Sequence, residues 1–220
     1  MGTKPLKVII FLNGDLSDLS LVQPEIDNRT MLIGCDGGTS YILALGYKPA
    51  VIIGDFDSLD KDSTDLKDTT YVRYPTDKDY TDSELAIRYA AEQGCDQIIL
   101  AGALGTRLDH LLGNILLLTK DEFSNLKLKI VEGAQEIYLI RGRAQVSGNT
   151  GDTISFIPIT GKAQVSKTTG LKYDLSQYDM SLQANSGISN VLTGPIAEIK
   201  IKTGVLLVVH QKQPEPFSSH

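Results

Sequence analysis

Between Lys7 and Val131, short apolar runs alternate with stretches whose apolar residues recur at helical spacing. The runs are Lys7 to Leu12, Met31 to Cys35, Ala50 to Ile53, Tyr71 to Tyr74, Gln97 to Ala101 and Leu126 to Val131. Several are continuously apolar, the pattern of parallel strands covered on both faces. Thr39 to Leu45, Asp82 to Gln93 and Leu108 to Lys120 read as the helices between them. Such alternation predicts an α/β fold, a mostly parallel Rossmann-like sheet with flanking helices and right-handed crossovers.

Near Arg141 the pattern changes. From Ala144 to His210, short β-like runs at Thr153 to Ile157, Ala163 to Ser166, Glu198 to Lys202 and Val205 to His210 are punctuated by Gly, Asn and Pro. No helical period intervenes, so this part reads as a small antiparallel β-sandwich or barrel. The expected division is an α/β domain over residues 1–142 and a β-sandwich over residues 143–220.

Composition narrows the partners. The 220 residues are 41% hydrophobic and 22% charged, ordinary for a soluble globular chain. A net charge of -6 argues against a general nucleic-acid or anionic-membrane partner, since both favour basic surfaces. Cys35 and Cys95 match no metal-ligand spacing and read as buried thiols of a reducing compartment. No run approaches the roughly 18 apolar residues of a membrane span. The amino end lacks the apolar core of a signal peptide, so a cytoplasmic protein is expected.

The candidate chemistry lies at the strand ends. Val51-Ile52-Ile53 breaks at Gly54 into Asp55-Phe56-Asp57-Ser58. In extended backbone, Asp55 and Asp57 point to the same side, beyond the carboxyl end of a strand, where open α/β sheets bind ligands. Two hard oxygen donors there suit Mg²⁺ and, through it, a phosphate ester; an Asx-type turn is the other reading. The preceding strands run into Asn13-Gly14-Asp15 and Asp36-Gly37-Gly38. Neither turn is a dinucleotide fingerprint. After the next strand comes Lys78-Asp79-Tyr80-Thr81-Asp82-Ser83-Glu84, in which Thr81 and Glu84 make a capping box. Asp79 and Asp82 are not needed for that cap. Gly105-Thr106-Arg107-Leu108-Asp109-His110 then leads into an apolar helix. Arg107 can fork onto phosphate oxygens, and Asp109 can bind metal, accept a proton or favour the helix dipole. Asn114 can orient a ligand or satisfy a loop. Together Asp36, Asp55, Asp57, Asp82 and Asp109 come from four strand ends and read as a metal–nucleotide site, because converging carboxylates need cations.

These motifs, with Thr168-Thr169-Gly170-Leu171-Lys172-Tyr173 and Gly187-Ile188-Ser189-Asn190, resemble the thiamine pyrophosphokinase family over roughly residues 7–210. The resemblance implies an α/β domain carrying ATP and Mg²⁺, a β-sandwich that helps to bind thiamine, and a homodimer with its sites where subunits meet. It implies transfer of the pyrophosphoryl group of ATP to the thiamine hydroxyl, releasing AMP. Asp55, Asp57 and Asp82 would then hold Mg²⁺. Asn13, Gly37, Gly38, Ser58, Lys78, Asp79, Thr81, Arg107 and Asn114 would contact ATP, and Ser189, Asn190, Tyr173 and Asp82 thiamine. Asp109, with Asp36 as competitor, would orient or deprotonate the hydroxyl, while Arg107 neutralises developing charge. Ser40 stands where the family often has Asn, and Lys78 where some relatives have Gln. With no Trp, aromatic packing on thiamine must use Tyr. Another Mg-dependent nucleotide kinase or nucleotidyltransferase, or a silent nucleotide- or thiamine-binding protein, are the rival readings.

Overall fold

The computed structural model describes residues 7–16, 18–54, 66–74, 80–184 and 186–213. It divides into two compact units, residues 1–133 and 134–220.

In the first unit the apolar runs become β1 (Lys7–Phe11), β2 (Thr30–Cys35), β3 (Val51–Gly54), β4 (Thr70–Arg73), β5 (Gln97–Ala101) and β6 (Lys127–Glu132). Helices α1 (Thr39–Ala44), α2 (Asp82–Glu92) and α3 (Leu108–Leu117) lie between them in sequence. The strands follow the order β6-β5-β1-β2-β3-β4, and each neighbouring pair is parallel. Ile9 stands across from Leu32 on one side and from Ile99 on the other. Side chains alternate between faces, so Ile9, Phe11, Leu32, Ile99 and Val131 gather on one face with Ile42 of α1. Val8, Ile10, Ile98, Leu100 and Ile130 point the other way and are equally buried. Burial on both faces explains why these strands read as continuous apolar runs. Successive strands step outward from β1 to β4, and the chain then returns to place β5 on the far side of β1. The reversal makes a switch point between β1 and β5, the place where such sheets open a ligand crevice.

The second unit contains β7 (Gln135–Ile140), β8 (Arg143–Ser147), β9 (Thr153–Pro158), β10 (Lys162–Thr169), β11 (Tyr178–Ser181), β12 (Asn190–Val191), β13 (Ile196–Thr203) and β14 (Leu206–Gln211). They form two antiparallel layers in the orders β12-β9-β14-β7 and β11-β10-β13-β8. On β13, Ala197, Ile199 and Ile201 point inward while Glu198, Lys200 and Lys202 point out. Phe156, Val165, Met180, Leu192, Leu206 and Val208 complete the core between the layers. The unit is a β-sandwich.

The division falls earlier than the expected residue 142, because β7 pairs along its length with β14, from Gln135↔Gln211 to Ile140↔Leu206. That partner lies some seventy residues downstream, so no local pattern assigned the segment. A buried polar lock closes the same unit. Asp152 accepts N–H bonds from Asn149 (2.9 Å) and Gln213 (2.8 Å) and meets Nε2 of His210 at 2.8 Å. Among the described residues no helix is long and apolar enough to cross a membrane.

Candidate active site

Beyond the carboxyl ends of β1 and β5 the chain continues in backbone contact. Leu12 N–H donates to Ala101 O (2.8 Å) and Gly14 N–H to Gly102 O (2.9 Å). A Cβ on Gly14 would overlap the Gly102 carbonyl, and Gly102 itself sits at φ +69°. Only glycine lets the two loops close this tightly. The Tyr41 hydroxyl of α1 fixes the first loop, donating to Gly14 O (2.6 Å) and accepting from Leu16 N–H (3.1 Å).

A cleft of about 440 Å³ opens above this floor, with Asn13, Asp15, Asp36, Asp82, Thr106 and Arg107 on its walls. Its volume lies within the usual range of small-molecule sites. Asp36, Asp82 and Arg107, expected from three different strand ends, thus line one cleft. Asp36 opens a 3₁₀ turn over Asp36–Gly38 at φ 44°, a left-handed conformation that Asp tolerates better than most residues. Its carboxylate occupies the space above Gly54, where a Cβ would overlap Oδ1. Gly54→Ala should displace Asp36, lowering stability by about 1–3 kcal/mol and turnover by about tenfold. A melt and a rate assay check this. A variant as stable and as active as the parent would show that the Asp36 position is immaterial.

Asp82 sits half-buried in the first turn of α2, and the Cys35 thiol donates to its carbonyl at 3.8 Å. The Thr81 hydroxyl caps the helix by accepting from Glu84 N–H at 3.3 Å. The reciprocal half of the capping box does not form. Buried Glu84 instead accepts from Arg88 (3.1 Å) and Lys120 (2.5 Å). Arg88 also stacks on Tyr80, 4.5 Å from the ring centroid, and Tyr80 forms part of the cleft wall. The Thr81 hydroxyl expected on ATP is thus engaged in the cap.

Asn114 is buried, accepting from the Ser83 hydroxyl (2.8 Å) and donating to Ala103 O (2.8 Å). Its amide ties the first turn of α2 to the β5–α3 loop and also lines the cleft, where its expected contact with ATP is a proposal. Asp109 lies exposed on the first turn of α3, paired with Arg107 at 2.6 Å. That hydrogen bond holds the Asp109 carboxyl below the usual carboxylate range and raises the guanidinium of Arg107. In this arrangement the Asp109 carboxylate orients Arg107, and its expected role toward the hydroxyl is a proposal. Gly37 lies against the Asn13 side chain, and Gly38 against the Phe11 carbonyl.

In the sandwich, Asn190 is buried. It accepts from the backbone N–H of Tyr173 (3.0 Å) and of Val191 (2.9 Å) and donates to Tyr173 O (2.7 Å). This amide shapes the turn, and its expected contact with thiamine is a proposal. Ser189 is exposed at φ 57°, its N–H held by the Ser155 hydroxyl at 3.0 Å. Tyr173 is exposed as well, with Lys172 Nζ 5.4 Å from its ring centroid. Asp55, Asp57, Ser58, Lys78 and Asp79 lie outside the described residues. Among the described residues no group of three or more His, Cys, Asp or Glu side chains is gathered to hold a metal. Sequence reasoning passed over Asp15, Tyr41 and Glu132. Only Asp15 had a signal, its place at a strand end.

The first unit is therefore a doubly wound α/β ligand-binding domain with a polar, acidic cleft at its switch point, followed in the chain by a β-sandwich. Residues 22–130 match the family profile described as thiamin pyrophosphokinase, catalytic domain, and residues 139–206 the profile described as thiamin pyrophosphokinase, vitamin B1 binding domain. A thiamine pyrophosphokinase of Bacillus subtilis is 31% identical over 188 residues, covering 83% of this chain and 88% of that protein. The crystal structure of thiamine pyrophosphokinase from Bacillus subtilis superposes with a TM-score of 0.85 at 28% identity, covering 94% of this chain and 100% of the other. That of thiamin pyrophosphokinase from Geobacillus thermodenitrificans gives 0.81 at 27% identity, covering 95% and 99%. The chain belongs to the thiamine pyrophosphokinase family.

Proposed function

We propose that the switch-point cleft is where this chain performs the reaction of its family, transfer of the pyrophosphoryl group of ATP to the hydroxyl of thiamine. The observation that carries this reading is the convergence of Asp36, Asp82 and Arg107, from the ends of β2, β4 and β5, on one cleft of nucleotide size. The hydroxyl oxygen attacks the β-phosphorus in line and forms the new P–O bond. The bond from the β-phosphorus to the bridging oxygen breaks, its electrons leave with AMP, and the hydroxyl proton passes to solvent or to Asp36. Positioning and electrostatics do most of the work in such transfers, so a strong base is not required.

Hard carboxylate oxygens on the cleft wall are the donor type Mg²⁺ takes. Asp82, with Asp55 and Asp57 from the end of β3, would hold it. Bound there, Mg²⁺ would supply positive charge to offset that of the phosphates and of the acidic walls. Arg107, held forward by Asp109, is assigned to the charge that builds on the transferred group or on AMP. Asn13, Gly37 and Gly38 are assigned to the nucleotide, and Lys78 and Asp79 to its phosphates.

Thiamine is assigned to the sandwich turn, where Ser189 offers its hydroxyl to the aminopyrimidine and Tyr173 its ring. We place the sandwich of one protomer over the cleft of its partner, in a cytoplasmic homodimer in which both cysteines of each chain are buried thiols. Ser189→Ala should raise the KM for thiamine about three- to tenfold, the worth of one hydrogen bond, and leave that for ATP unchanged. Equal disturbance of both would remove Ser189 from the thiamine site. Incubation with ATP, Mg²⁺ and thiamine, with chromatography of the products, tests the whole reading. AMP and thiamine diphosphate are expected. ADP or pyrophosphate as the nucleotide-derived product would overturn it.

A further inference from the structure

The loop that carries Arg107 is held from behind by a residue of another strand. Glu132 ends β6, and the parallel register Ala101↔Val131 places it one step past the last pair with β5. There its Oε2 accepts the backbone N–H groups of Ala103 (3.0 Å) and Leu104 (3.4 Å). The carbonyl of the same Ala103 accepts from Asn114 Nδ2 at 2.8 Å. The loop is therefore gripped on both of its backbone polarities, immediately before Gly105, Thr106 and Arg107 enter the cleft wall. Successive N–H groups at a strand end are the kind that elsewhere cradle phosphate. Here a carboxylate of the chain already takes them, and a phosphate must be met further along, at Thr106 and Arg107. Burial pushes the Glu132 carboxyl up, against the pull of the three N–H groups at Gly102, Ala103 and Leu104, and the Asp15 carboxylate adds to the rise. Such a group is costly to keep charged behind an acidic cleft, and stabilising two backbone donors is what it does there.

We propose that Glu132 is a positioning residue for pyrophosphoryl transfer, whose carboxylate sets the β5–α3 loop so that Thr106 and Arg107 face the polyphosphate of ATP. The inference rests on the reading of the cleft as the ATP site. Two variants test it. Glu132→Ala removes the acceptor, while Glu132→Gln keeps an acceptor oxygen without its charge. ATP affinity, read by calorimetry with thiamine absent, is expected to fall about tenfold in Glu132→Ala and to be partly rescued in Glu132→Gln. The KM for thiamine should stay at the parent value while kcat falls. Thermal melts run in parallel report folding, and Glu132→Gln keeps the test open if Glu132→Ala unfolds. Undiminished ATP affinity in both variants overturns the proposal, as does an equal rise in both KM values with a lowered melting temperature. Failure of the cleft reading shows separately, as a parent protein that binds no ATP or releases a nucleotide other than AMP.

Discussion

Asp82→Asn is expected to cut turnover by about a hundred- to a thousandfold at saturating ATP, thiamine and Mg²⁺, the loss seen when one preorganised electrostatic contact to a transition state is removed. Asparagine has the same shape, so the loss measures charge. Thr81 still caps α2, and the fold forfeits only the favourable meeting of a carboxylate with a helix N-terminus, worth about 0.3–1 kcal/mol. The melting curve should therefore scarcely move while the rate collapses. Because Asp82 is assigned to Mg²⁺, the concentration needed for half-maximal rate should also rise. The assay is AMP release across a Mg²⁺ titration. Full turnover with an unchanged titration would take Asp82 out of the metal shell and leave Asp55 and Asp57 to carry it.

In the second unit the largest expected effect is on stability. Asp152→Ala should cost about 3–5 kcal/mol, the usual penalty for removing one partner of a buried, hydrogen-bonded pair. Asp152 and His210 are both fully buried, and the carboxylate also takes the N–H groups of Asn149 and Gln213. Its loss strands three donors. At 2–4 °C per kcal/mol for a chain of this length, the melting temperature should drop by about 10 °C. Acid adds a second readout. Burial works to raise the Asp152 pKa, but the backbone donors of Gln213 and Asn149 and the His210 ring outweigh it and hold it below the ordinary 3.8. A group whose folded pKa is depressed contributes stability above its unfolded value and loses it as pH falls through the folded one. The parent should therefore lose this contribution from 3.8 downward, and Asp152→Ala should lack that part of the acid limb. Equal melting temperatures and superimposable acid limbs would show that the lock holds nothing.

The fold was legible where burial is uniform. Strands β1, β2, β3 and β5 are covered on both faces, so each shows as an unbroken apolar run between turn residues. Their carboxyl ends are plain in the sequence, which is why Asp36 and Arg107 stood out, while Asp82 showed beside the Thr81 cap of α2. Amides were not legible. Asn114 and Asn190 sit where a ligand contact and a structural brace look the same in sequence, and only the structure shows that both amides also brace neighbouring segments. The pairing of Asp109 with Arg107 was hidden for another reason, since it depends on the loop conformation at the start of α3. Strand β7 and Glu132 share one cause, for each acts on a partner set by sheet register, thirty to seventy residues away. No window along the chain contains that information.

The Gly14–Gly102 contact bears on how this enzyme can be changed. The floor of the cleft is main chain, with no side chain between the two loops to enlarge, shrink or recharge. Directed evolution toward other pyrophosphoryl acceptors or donors would find no handle there, and substitution at either glycine would lift one loop off the other. Side chains do line the cleft elsewhere, among them Asn13, Tyr80 and Thr106. A library confined to those three would vary recognition while leaving the Gly14–Gly102 floor as it is.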